Sequence, residues 1–113
     1  MDNITQTYEA LASALRSALG RRGFDVAEEH HHTHATGSRY ILLTSSDQAV
    51  CLSWDGEESC FQLECCQRTE EEGLGVWEMM CRERFDPAID GSERTQAIVD
   101  AIGAKLATKL AAY

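Results

Sequence analysis

A chain of 113 residues with 43% apolar, 7% aromatic and 26% charged side chains has the composition of one ordinary folded domain, since domains commonly hold roughly 100–150 residues. Its formal net charge of −9, with no basic cluster longer than Arg21 and Arg22, excludes direct nucleic-acid binding, which needs lysine and arginine on one face to displace counterions. No window reaches the roughly 18–20 continuous apolar residues of a membrane span, and "MDNITQTYEA" has neither a basic start nor an apolar h-region, so a cytoplasmic protein without membrane contact is expected.

From Asn3 to Arg22 the residues Ile4, Tyr8, Leu11, Ala12, Leu15, Ala18 and Leu19 recur at intervals of three and four, which predicts an amphipathic helix. Asn3 with Gln6 offers a capping pair, and Gly20 or Gly23 a stop. The next stretch, "GFDVAEEHHHTHATG", begins like a strand. Strict alternation would put Phe24, Val26, Glu28, His30, His32 and His34 on one face, apolar at first and imidazole at the end. Three alternate histidines with a carboxylate match the donor set of zinc or another divalent metal. A site usually draws ligands from separate elements, however, and no fifth histidine exists to close the shell. A solvated strand end with no cofactor is therefore the preferred reading, and a metal-binding enzyme or sensor at Glu28, His30, His32 and His34 the alternative.

The period then changes to two. "RYILLTSS" is a short apolar run; "QAVCLSW" puts Val50, Leu52 and Trp54 on one face; "SCFQLECC" puts Phe61, Leu63 and Cys65 on one; and "VWEMMCRERF" sets Trp77, Met79 and Cys81 opposite Glu78 and Arg82. "SSD", "DGEES" and "TEEEGLG" are turns of a length that hairpins use. "DGSERTQAIVDAIGAKLATKLAAY" closes the chain as a second helix. Asp90 with Glu93 is its expected cap, Ile98, Ala101, Ile102, Leu106 and Leu110 its stripe, Lys105 and Lys109 the cations near its end, and Gly103 a point of close packing against a sheet. Alternation with a polar second face means a sheet covered on one side only. The predicted fold is an α+β two-layer sandwich: an N-terminal helix, a four- to five-stranded antiparallel meander and a C-terminal helix, with both helices on one face.

Five cysteines, an odd number with Cys65 and Cys66 adjacent, read as free thiols acting as small hydrophobes in a reducing compartment. The acidity is local. Residues 55–75 carry seven carboxylates against Arg68 alone, concentrated at Glu57 and Glu58 in one turn and at Glu70, Glu71 and Glu72 in another. The chain holds no P-loop, nucleophile elbow, dinucleotide fingerprint or zinc-protease motif, so an enzyme is the less favoured reading. In size, charge and element order the chain is similar to secretion chaperones and immunity proteins, with no motif naming either family. These features predict an acidic interaction module that docks a basic protein partner through Glu57, Glu58 and Glu70–Glu72. Apolar residues on both faces of the 76–85 strand further predict a homodimer.

Overall fold

The computed structural model describes residues 3–31, 38–69 and 71–111. The first helix, α1 (Asn3–Gly20), ends because Gly23 turns the backbone into the left-handed region at φ 84°. The Phe24 N–H then donates to the Leu19 carbonyl at 3.1 Å and the Gly23 N–H to the Gly20 carbonyl at 3.3 Å, a Schellman stop. Buried Phe24 and Leu19 complete it with the apolar contact such stops carry. Gly23 is therefore the terminator, and Gly20 is the last helical residue.

Five strands follow as a meander: β1 (Asp25–His31), β2 (Arg39–Thr44), β3 (Gln48–Asp55), β4 (Cys60–Thr69) and, after the two-residue β5 (Gly73–Leu74), β6 (Glu78–Arg84). Each pairs antiparallel with its predecessor, except that β5 and β6 share the far side of β4. The sheet curls into a half barrel, and α2 (Ser92–Ala111) joins α1 on its inner face. Alternation in β3 and β4 worked as read: Val50, Leu52, Trp54, Phe61 and Leu63 point at the helices and are buried. They meet Tyr8, Leu11, Leu15 and Leu19 of α1 and Ile98, Ile102 and Leu106 of α2. Each such side chain contributes about 1.5–3 kcal/mol by leaving water. Trp54, Phe61 and Phe85 form an aromatic knot with centroids 4.6–6.3 Å apart.

Two edge-strand details depart from simple alternation. In β1, Val26 faces Leu43 and Glu28 faces Leu42, so Ala27 is an inserted residue; in β6, Cys81 faces Leu63 and Met79 faces Glu64, so Met80 is inserted. Each is a β-bulge, which reverses the face of everything beyond it. The α2 cap also differs. The Gly91 carbonyl accepts the Thr95 N–H at 3.1 Å, while the Asp90 carboxylate accepts the Asp86 N–H at 2.7 Å, so Asp90 braces the preceding loop. Gly103 packs against nothing: a β-carbon placed there meets no atom within 4 Å. The side chains of Asn3 and Leu110 lie outside the described residues.

Candidate functional site

Three carboxylates outside the acidic turns are answered by a cation. Glu29 meets Arg16 at 2.6 Å, Glu83 meets Arg94 at 3.1 Å, and Glu78 meets Lys109 at 2.8 Å, each pair tying the sheet to a helix. The two acidic turns differ from these and from each other. In the β3–β4 turn the Asp55 carboxylate accepts the N–H groups of Glu57 and Glu58 at 3.0 and 3.2 Å. Ser59 completes the reversal with φ 51°, and Arg82 stands 3.7 Å from Glu58. Glu57 and Glu58 thus belong to a braced, partly neutralised hairpin.

The β4–β5 turn is uncompensated. The Glu72 N–H donates to the Thr69 hydroxyl at 3.0 Å, and Gly73 reverses the chain at φ 70°. The Glu71 and Glu72 side chains stand exposed, and among the described residues no basic side chain pairs with them. Glu70 lies outside the described residues. The ten residues of β4 separate the two turns by about 30 Å at roughly 3.3 Å per residue, so they cannot form one compact acidic site.

Beside the uncompensated turn lies a feature that alternation concealed. Of the six large apolar residues exposed among the described ones, four fall between 74 and 79: Leu74 at 45%, Val76 at 92%, Trp77 at 36% and Met79 at 48%. The cause is a break in the edge. β5 pairs with Arg68 and Thr69, the Gly75 N–H donates to the Gln67 carbonyl at 2.8 Å, and pairing resumes only at Glu78. Between them Val76 and Trp77 leave the ladder. The bulge at Met80 then divides the expected face of Trp77, Met79 and Cys81: Cys81 and Met80 pack on the core, while Met79 turns outward beside Glu64. The expected common face of Trp77, Met79 and Cys81 is thereby corrected. The Gly75–Val76 step after a glycine-flanked turn was the only hint in the sequence.

The histidine strand is rearranged by the same device. The bulge at Ala27 leaves Val26 on the helix side and puts Glu28 and His30 on the outer face, opposite Leu42 and Tyr40. Glu28 and His30 remain together, but not with Phe24 and Val26. Glu28 accepts the Tyr40 phenol at 2.5 Å, and His30 stacks on the Tyr40 ring with centroids 5.5 Å apart. The hydrogen bond to Glu28 raises the Tyr40 pKa, because it favours the protonated phenol. His32 and His34 lie outside the described residues. Among the described residues no three His, Cys, Asp or Glu side chains gather to hold a metal ion.

All five cysteines are free, Cys60 and Cys66 buried and the others half-buried. Burial pushes Cys51 up to about 11 and raises Cys65, Cys66 and Cys81, so these four are thiols and poor nucleophiles at neutral pH. Cys60 accepts the Arg82 Nε at 3.2 Å. No helix among the described residues is long and apolar enough to cross a membrane. The chain matches no protein-family model, no curated protein and no solved structure at a significant level.

Proposed function

We propose that this protein is a non-enzymatic interaction module whose β4–β5 turn, Glu70 to Glu72, receives a basic protein partner. The observation that carries the reading is a turn of adjacent, exposed carboxylates with which no described cation pairs. Glu29, Glu78 and Glu83 each hold a helix to the sheet through a cation, whereas Glu71 and Glu72 are exposed and have none among the described residues. Carboxylates without internal partners leave their field available to an incoming molecule, where it speeds encounter more than it deepens final affinity. The raised thiols of Cys51, Cys65, Cys66 and Cys81 fit a binding role better than nucleophilic chemistry.

The test captures partners from native lysate at low salt with the wild type and with Glu70, Glu71 and Glu72 replaced by Gln. Loss of specific bands in the Gln form, and in the wild type near 1 M salt where the Debye length shrinks to about 3 Å, is the expected result. Identical sets of captured proteins at both salts would reduce the turn to a solubility device.

A further inference from the structure

Resting on that reading, we infer that the break in the sheet edge at Val76–Trp77 is the anchor point of the same interface, and that it takes an extended segment in which lysine or arginine alternates with an apolar residue. The edge beyond β4 is interrupted at this point: β5 covers Arg68 and Thr69, β6 covers Cys60 to Cys65, and the chain between them stands off the ladder. Behind the break lies an open cleft of about 280 Å³ lined by Cys65, Cys66, Gln67, Val76 and Glu78. That is just below the roughly 300–1,000 Å³ of small-molecule sites, a size for one side chain rather than a cofactor. Its lining is mixed, two thiols and a valine together with the amides of Gln48 and Gln67 and the carboxylate of Glu78. An alkyl stem ending in a cation has that profile, since lysine and arginine bury their stems and keep their charge at the polar end. Lys109 engages Oε2 of Glu78, while Oε1 accepts no hydrogen bond among the described residues.

At the mouth of the cleft, Val76 is 92% and Trp77 36% exposed, an aliphatic residue beside an aromatic of the type enriched at the centre of protein interfaces. Glu71 and Glu72, exposed in the turn that leads into β5, bring negative charge to the same edge. Successive side chains of an extended segment point to opposite sides, so a cation whose stem lies against Val76 in the cleft turns the next residue to the other side, that of Trp77. A second copy of this chain is the poorer occupant. It would bring its own net charge of −9 and the same uncompensated glutamates to the contact.

The experiment is fluorescence anisotropy with three labelled peptides, Lys and Val alternating, Lys and Ser alternating, and Glu and Val alternating. Each is titrated against the wild type, the Val76→Ser/Trp77→Ser form and the Glu71→Gln/Glu72→Gln form. Thermal melts of both variants verify folding, which exposed positions should leave intact. The Lys–Val peptide is expected to bind best, and the serine variant to weaken it by about tenfold or more, the scale of an interface hot spot; the Gln variant should chiefly slow association. If Lys–Val and Lys–Ser bind alike and the serine variant changes nothing while the Gln variant does, the anchor is refuted and the acidic docking reading survives. If neither variant alters binding, or the Lys–Val peptide does not bind the wild type, both are refuted. A wild-type dimer in sedimentation that the serine variant turns into a monomer would assign the patch to a second copy and overturn the inference.

Discussion

Replacing glycine by alanine at positions 23 and 103 should move stability in opposite directions. Gly103 sits within α2, its φ is not left-handed, and a β-carbon there meets no atom within 4 Å. Alanine is favoured over glycine inside a helix by about 0.8–1 kcal/mol. A stabilisation of about 1 kcal/mol corresponds to a rise of roughly 4 °C in Tm for a domain of this size. Gly23 holds φ 84°. A left-handed conformation costs an L-residue about 1–2 kcal/mol, against a gain of roughly 0.4–1 kcal/mol from a less flexible unfolded chain. Gly23→Ala should therefore lose up to about 1.5 kcal/mol. Urea denaturation of the three forms, with constant slopes, measures both. A destabilised Gly103→Ala protein would mean that α2 approaches a neighbour at this glycine and would refute the argument.

On the alkaline side, burial raises Cys51 from 9.0 to about 11 and raises Cys65, Cys66 and Cys81 as well. A raised pKa means the folded state holds its proton longer than the unfolded one, so this stability is complete below about pH 9 and drains away as pH climbs toward about 11. Melts across that range should show a falling Tm, and Cys51→Ser should flatten the fall; a level profile would contradict the burial. Non-reducing, denaturing thiol titration should report near five groups per chain, and a count of one or three would contradict the free cysteines. Glu28→Ala removes the acceptor that raises Tyr40. Its phenolate absorbance should then appear at lower pH, and an unmoved titration would show that the contact is not formed in solution.

The helices and inner strands were legible because their cause is periodic. Leu11, Leu15 and Leu19 must share a stripe on any helix, and Val50, Leu52 and Trp54 a face on any strand. The bulges were not legible, since an inserted Ala27 or Met80 has the composition of any other strand residue and reveals itself only in the pairing. That one-residue error moved Glu28 and His30 away from Phe24 and Val26, and hid the outward turn of Met79. Asp90 looked like a cap by type and spacing, but its carboxylate takes the Asp86 N–H, a competition between loop and helix that spacing does not register. The acidic turns were located by composition alone. Which of them is neutralised depended on Arg82, which lies 24 residues beyond Glu58 in sequence but 3.7 Å from it in space.

Both bulges fall on the strands that end the sheet, β1 on one side and β6 on the other. A rim that is kinked and locally overtwisted is a poor template for further strands, while β3, paired without a register shift to β2 and β4, sits in the interior. Fibril growth by stacking of native molecules needs straight, unpaired rims, so this architecture directs any aggregation through prior unfolding. Turbidity at high concentration should therefore follow the melting curve, with no slow phase of native-state fibre growth beneath it.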